Sequence, residues 1–198
     1  MAVISSKPFC RMSDGTAVTV YRLENSSGST VDIIDWGAAV VGMKVPDRRG
    51  KHFDVVLGFA EPTDYEFNAP GFGIIAGRYA NRIGHAEFEL GGRKYRLPAN
   101  SRGGCCLHGG ERGFGRQLWQ ARAVDGAPEL SLHSPDGDQG FPGNCDVKVV
   151  YHLTEHNELG IDYFAESDRD TVINLTNHTY FNLDDSDRIY DHEIFINA

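Results

Sequence analysis

Positive charge, long apolar runs and helical periodicity are all scarce in this chain of 198 residues. Lysine and arginine number 19 against 28 aspartates and glutamates, which gives a formal net charge of −9. This balance disfavours nucleic acid and anionic membranes as partners, because both attract clustered cations. No apolar stretch approaches the roughly 20 residues that a membrane-spanning helix needs. We therefore expect neither a nucleic-acid partner nor a membrane partner.

Cysteine is also scarce, and its spacing is uninformative. The four cysteines form neither a CxxC pair nor a zinc-knuckle spacing, and the adjacent Cys105 and Cys106 are poorly placed to bridge each other. Reduced thiols are therefore expected, as in cytosolic proteins. Residues 1–8 contain no sustained apolar region, so the sequence predicts no signal peptide and a cytoplasmic location.

Signatures of metal and phosphate sites are missing as well. The chain has eight histidines, but none stands in an HxH or HExxH arrangement. Glycine-rich phosphate loops and a nucleophile elbow are absent too. The spacing therefore calls for no metal site, although a site assembled from distant residues stays open.

Short strands separated by turn residues dominate the pattern. Residues 85–98 alternate as a hairpin whose turn is Gly91-Gly92, and residues 146–166 predict a second hairpin that turns at 155–158. Many short strands broken by glycine, proline and asparagine predict an all-β antiparallel sandwich, in a single domain over residues 1–198. Further short β-branched runs, which predict additional strands, lie at residues 17–23, 31–34, 38–45 and 54–57.

The most informative stretch is residues 174–183, NLTNHTYFNL, which places His178 among amide and hydroxyl groups. Imidazole gives and takes a proton near neutral pH, and the surrounding groups suit a ligand covered in hydroxyls. The alternative is a polar turn in which the histidine merely caps a strand.

Two further polar clusters lie upstream. The first spans residues 77–83, GRYANRI, in which Asn81 and Arg82 offer planar hydrogen-bond donors. Neighbouring side chains on a strand point to opposite faces, so these two can reach one ligand only from a bulge or a loop. In residues 107–110, LHGG, two glycines after His108 suit close approach of a small ligand to the backbone. The alternative for residues 77–83 is a surface loop, and the alternative for residues 107–110 is a structural turn.

The turn-rich segment 134–144, SPDGDQGFPGN, is interpreted as a structural loop with Phe141 packed beneath it, because the ligand spacing of a calcium loop is missing.

The four motifs in this order, together with residues 35–59, resemble the aldose 1-epimerase (galactose mutarotase) family over nearly the whole chain. The resemblance implies an antiparallel supersandwich that interconverts the α and β anomers of small-molecule aldoses such as glucose and galactose without a cofactor.

The resemblance also implies roles for six residues. His178 matches the general acid that protonates the ring oxygen, and His108 matches a second active-site histidine that contacts the sugar. Asn81 and Arg82 match sugar-binding positions, and Thr179 and Tyr180 are expected to line the site beside His178.

The chain departs from the family pattern at its end. The family's general base is a glutamate, and a sugar-binding aspartate also lies in the later half; this sequence stops before both positions. We therefore expect a domain truncated at its C-terminus, with little or no activity by itself. A non-catalytic carbohydrate-binding homologue or inactive fragment is an alternative. A glycosidase is a weaker one, because hydrolysis needs two positioned carboxylates. The preferred aldose and the choice between monomer and homodimer stay open.

Overall fold

The computed structural model describes residues 2–184 and 186–197, and within these ranges the chain folds into strands and four short 3-10 helices, without an α-helix. The sequence predicted this, because its apolar residues recur with the two-residue period of strands. The strands are β1 (Val3–Arg11), β2 (Ala17–Glu24), β3 (Thr30–Ile34), β4 (Val40–Pro46), β5 (His52–Asp54), β6 (Ile75–Ala76), β7 (Arg82–Ile83), β8 (Glu87–Leu90), β9 (Arg93–Arg96), β10 (Cys106–Leu107), β11 (Gln120–Val124), β12 (Ala127–Ser134), β13 (Cys145–Leu153), β14 (Leu159–Ser167) and β15 (Thr176–Asn177).

The first five strands form one antiparallel sheet in chain order. Val31 on β3 lies between Leu23 on β2 and Met43 on β4, and all three side chains are buried. Strand β4 begins two residues later than the sequence predicted, because Ala38 adopts a left-handed backbone with φ 47° that a strand cannot contain.

Strands β11 to β14 form a second antiparallel sheet, also in chain order. The alternate residues Val147, Val149, Tyr151 and Leu153 of β13 are buried in one cluster with side chains of the first sheet. The Tyr151 hydroxyl crosses between the sheets and donates to the carbonyl oxygen of Ala38 at 2.6 Å. Two sheets that share one core make a sandwich, so the predicted all-β fold class is confirmed.

Both predicted hairpins are confirmed. Gly91 and Gly92 join β8 to β9 with φ angles of 58° and 75°, the left-handed region that the turn requires. Strands β13 and β14 pair from residue 145 to residue 167. Burial fades along β14, however: Tyr163 is 36% exposed, and no strand of the described chain pairs with the outer edge of β14.

Hydrogen bonds from Arg78 hold the segment 134–144 against the rest of the molecule. Its guanidinium is 1% exposed and donates to the carbonyl oxygens of Ser134, Pro142 and Gly143. Phe141 is equally buried and lies 5.6 Å from the guanidinium carbon, measured to the ring centroid. The architectural interpretation of this segment, with Phe141 beneath it, is therefore confirmed.

Two short ribbons complete the arrangement. Strand β15 pairs with β6, and β10 pairs with β7. The first ribbon places residues 174–183 beside Ile75, and the second places Leu107 opposite Arg82. Three motifs that are far apart in the sequence thus meet at one place. In the described residues no helix has the length and apolar character needed to cross a membrane.

Candidate active site

The three polar motifs line an open cavity of about 920 Å³. Five of the six residues singled out in the sequence lie in its wall. The sixth, Thr179, does not: its hydroxyl and its main-chain N–H both donate to the side-chain oxygen of Asn177, which turns it away from the cavity wall. The five lining residues are Asn81, Arg82, His108, His178 and Tyr180.

Asn81 and Arg82 both reach the cavity because the chain leaves strand geometry at Asn81. Its φ is 64°, a left-handed conformation that asparagine tolerates better than most residues. This interrupts the alternation of side chains just before β7. An irregular backbone was expected here, because only such a backbone lets both side chains reach one ligand, and the structure has it. Next to it, the main-chain N–H of Ala80 donates to the carbonyl oxygen of Asn174 at 2.8 Å, which joins this motif to residues 174–183.

His108 sits in a tight loop just after β10, and the glycines that follow it are required by close packing. Gly109 has a φ of 85°, and a Cβ there would overlap the carbonyl oxygen of Gly77. The side chain of Asn100 accepts from the main-chain N–H of Leu107 at 2.7 Å and donates to the Leu107 carbonyl at 3.0 Å. These contacts hold the loop in one position against the cavity.

Two hydrogen bonds join His108 to Asn81. The main-chain N–H of His108 donates to the carbonyl oxygen of Asn81 at 3.0 Å. In return, the main-chain N–H of Asn81 donates to Nδ1 of His108 at 3.1 Å. Burial, together with the positive charges of His178 and Arg82, lowers the pKa of His108 below its usual value of 6.5.

His178 is also oriented by main-chain atoms. Its N–H donates to the carbonyl oxygen of Ile74 at 2.8 Å, and its Nδ1 lies 3.0 Å from the carbonyl oxygen of Gly71. A carbonyl only accepts, so Nδ1 carries the hydrogen. Nε2 of His178 is then a lone pair in the neutral ring and an N–H in the imidazolium. The Gly71 contact survives both states, so the ring can exchange a proton at Nε2 without losing its anchor.

Aromatic contacts continue the wall beside His178. The ring of Tyr180 lies 5.2 Å from that of His178, and its hydroxyl donates to the carbonyl oxygen of Pro70 at 3.3 Å. On the other side, the His178 ring meets the ring of His108 edge to face. An aromatic wall of this kind offers a flat apolar surface to the C–H face of a ring-shaped ligand.

Several lining residues were not predicted from the sequence. Asn174 stood inside a recognised motif, but nothing distinguished it from its neighbours. Gly71 and Asn100 act through a turn and a side-chain clamp, and neither leaves a pattern in the sequence. Arg116, Asn68 and Thr176 belong to this unpredicted polar part of the wall as well.

Carboxylates do not line the cavity in the part of the chain that the structure describes. The same residues contain no group of three or more His, Cys, Asp or Glu arranged to hold a metal ion. The cavity therefore presents imidazoles, amides and guanidinium groups to a ligand. This set donates hydrogen bonds strongly and suits the lone pairs of hydroxyl and ring oxygens.

The chain is similar in sequence to a known protein family along most of its length. Residues 19–198 match the family model described as aldose 1-epimerase. The chain is 45% identical over 188 residues to galactose mutarotase of Rattus norvegicus, covering 94% of this chain and 54% of that protein. It is 42% identical over 189 residues to aldose 1-epimerase of Haemophilus influenzae, covering 93% of this chain and 54% of that protein. The chain spans about half the length of the curated relatives it matches.

Solved structures show the same likeness in three dimensions. A GalM/aldose epimerase homologue from C. elegans superposes with a TM-score of 0.81 at 31% identity, covering 93% of this chain and 53% of that one. Galactose 1-epimerase from Lactobacillus acidophilus superposes with a TM-score of 0.79 at 28% identity, covering 92% of this chain and 54% of that one.

Proposed function

The chain belongs to the aldose 1-epimerase family, and on that premise we propose that its cavity binds a free aldose and that His178 exchanges a proton with the sugar as the α and β anomers interconvert. The observation that carries this proposal is the anchoring of His178 through Nδ1. It leaves Nε2 able to donate in one direction of the reaction and to accept in the other.

The chemistry needs two proton movements. The His178 imidazolium gives its Nε2 hydrogen to the ring oxygen while a base takes the hydrogen of the C1 hydroxyl. The C1–ring oxygen bond breaks, a carbonyl forms at C1, and rotation about the C1–C2 bond presents its other face. Closure reverses both proton movements and produces the other anomer.

The remaining lining groups serve recognition. Asn81 provides both an amide donor and a carbonyl acceptor, and Arg82 provides a planar fork of donors. Tyr180 supplies an aromatic wall beside the reacting centre. Hydroxyl-rich neutral ligands match this set, because each group forms a hydrogen bond without trapping the ligand as an ion pair.

The described cavity lacks a carboxylate general base for this reaction. No described residue lining the cavity has a carboxylate that could take the C1 proton. We therefore propose that the 198-residue chain by itself binds aldoses with little or no turnover. The same observation favours a second candidate function, a carbohydrate-binding protein without catalysis.

Chemical rescue separates the two candidates. Galactose binding is measured by calorimetry, and mutarotation of fresh α-glucose is followed by polarimetry with and without added formate, which can diffuse into an open site and act as the base. The epimerase proposal predicts saturable binding and an acceleration that rises with formate. His178→Asn should abolish that acceleration, and His156→Asn, on an exposed turn, should preserve it.

Each outcome has a distinct meaning. Binding without formate rescue would support the non-catalytic candidate. Absence of binding would contradict both. Full, saturable acceleration in the absence of formate would show that a base is already present and would overturn the proposed inactivity of the isolated chain.

A further inference from the structure

We propose that the main-chain N–H of Asn81 locks His108 into the tautomer with hydrogen on Nε2, so that His108 holds the sugar as a permanent hydrogen-bond donor and, of the two histidines, only His178 exchanges a proton. The identity of the ligand rests on the proposed function. The state of the ring does not, because it follows from contacts within the chain.

The tautomer follows from the direction of one hydrogen bond. A main-chain N–H only donates, so Nδ1 of His108 must present a lone pair to Asn81 at 3.1 Å. A neutral imidazole with a bare Nδ1 carries its hydrogen on Nε2. The described residues provide no hydrogen-bond partner for that Nε2, and the ring lines the cavity, so the N–H is available to a ligand.

His178 has the opposite arrangement. Its Nδ1 holds the hydrogen and faces a carbonyl, so the exchangeable position is Nε2. Adding a proton to His178 keeps every contact. Adding one to His108 would place a second N–H against the N–H of Asn81 and break the bond between them. The two neighbouring rings are therefore not interchangeable, and their main-chain partners determine the division of labour.

The charged and titratable groups around His108 support the same assignment. Arg82 approaches from β7, His178 and Tyr180 approach from residues 174–183, and Arg116 lies further along the wall. Burial disfavours a cation on His108, and the charges of His178 and Arg82 add to that effect. Among the described lining residues no carboxylate opposes them.

The hydrogen bonds between residues 81 and 108 hold the imidazole of His108 in this orientation. Residues 81 and 108 exchange two hydrogen bonds, one from each main-chain N–H, and turning the ring over would break the one that Asn81 donates to Nδ1. The left-handed backbone at Asn81, with φ 64°, aims its N–H at the ring. Asn81 is thus a positioning residue through its main chain, acting on a sugar-contacting histidine.

The tautomers are directly observable. Two-bond ¹H–¹⁵N correlation spectra of the ¹⁵N-histidine-labelled chain distinguish a ring with hydrogen on Nε2, a ring with hydrogen on Nδ1 and an imidazolium. Signals are assigned by their loss in His108→Asn and His178→Asn. We expect the Nε2–H tautomer for His108 and the Nδ1–H tautomer for neutral His178, with His108 still neutral just below pH 6.5 because its pKa is lowered. An Nδ1–H tautomer at His108 would overturn the inference.

A pair of substitutions tests the consequence for binding. Asparagine at position 108 can accept from the Asn81 N–H with its side-chain oxygen and suits the left-handed φ of 51°, but it lacks a donor at the position of Nε2. Glutamine can place an amide N–H there. We expect His108→Asn to weaken galactose binding roughly tenfold, the value of about one hydrogen bond, and His108→Gln to weaken it less. The reverse order would contradict the donor role.

The two proposals fail separately. The spectra are recorded without sugar, so a chain that binds no galactose would overturn the proposed function and leave the tautomer result standing. A chain that binds galactose but shows the wrong tautomer at His108 would overturn this inference alone. If His108→Gln does not fold, the spectra of the unsubstituted chain still decide the assignment.

Discussion

His108 and His178 meet edge to face, with ring centroids 4.8 Å apart and an angle of 77° between the ring planes. At this separation a charge on one imidazole disfavours a charge on the other. Burial is the main cause that lowers the pKa of His108, and the charges of His178 and Arg82 add to it. Protonation of His108 is therefore disfavoured in the folded chain.

Mild acid should destabilise the protein through His108. The unfolded chain protonates this ring near 6.5, whereas the folded chain protonates it only at lower pH. In the window between those values the unfolded state binds more protons, so the free energy of unfolding falls as the pH falls. Urea unfolding at about pH 7.5 and 5.5 measures the loss. We expect a smaller loss in His108→Asn and an unchanged loss in the exposed control His156→Asn; equal losses in all three would contradict the prediction.

The loop after His108 should tolerate no side chain at Gly109. Gly109 and Gly103 both have left-handed φ angles, 85° and 78°, but only at Gly109 would a Cβ overlap backbone, that of Gly77. Gly103→Ala therefore carries only backbone strain, about 1 to 2 kcal/mol. Gly109→Ala should cost more and should also weaken galactose binding, because the clash displaces His108. Equal binding and equal unfolding midpoints for the two variants would count against this account of the loop.

Arg78 should be a large contributor to stability. Its guanidinium is buried and satisfies three carbonyl oxygens of segment 134–144. Arg78→Met removes every donor, and each buried acceptor left without a partner costs about 1 to 3 kcal/mol. We expect a loss of at least about 3 kcal/mol by denaturant unfolding. Arg48→Met, on an exposed loop, should stay within about 0.5 kcal/mol. A similarly small effect at Arg78 would show that other contacts hold the segment.

The adjacent cysteines should differ in reactivity. Burial raises the pKa of Cys106 to about 11, so at pH 8 only about a thousandth of it is thiolate. Cys105 is half-buried and lies closer to solvent. Brief alkylation with iodoacetamide followed by peptide mapping should label Cys105 well before Cys106, and denaturation should remove the difference. Comparable labelling in the folded chain would contradict the burial of Cys106.

Exposed apolar residues near the end of the described chain should promote self-association. Ile194 and Phe195 are 86% and 90% exposed, and the outer edge of β14 has no strand partner among the described residues. Exposed apolar patches and unpaired edges favour association between copies. Sedimentation should show less association in the double variant Ile194→Lys, Phe195→Lys. Its unfolding midpoint should not change, since neither side chain is packed.

The sequence was most informative where structure is local. The hairpin at Gly91-Gly92 and the buried face of β13 follow from turn chemistry and two-residue alternation, which neighbouring residues determine by themselves. The burial of Arg78 was not predicted, because arginine is rarely buried and its partners lie more than 50 residues away.

The site was predictable as a set of motifs but not as a mechanism. The residues that meet in the cavity, such as Asn81 and His178, were recognisable by their chemistry and order. The atoms that orient the imidazoles belong to the main chain of Gly71 and Asn81, which carry no signature in the sequence. Thr179 was expected in the wall because it follows His178, but its side-chain hydroxyl donates to the side-chain oxygen of Asn177 instead.

One residue in this cavity performs two unrelated tasks with different atoms. The backbone of Asn81 holds the His108 imidazole in place, and the residue also lines the cavity. Asn81→Asp and Asn81→Gly suit the left-handed conformation and retain the backbone N–H, while each changes what the ligand meets. If the cavity binds an aldose as proposed, a single substitution here can therefore change which sugar is preferred while the contact that orients His108 is kept.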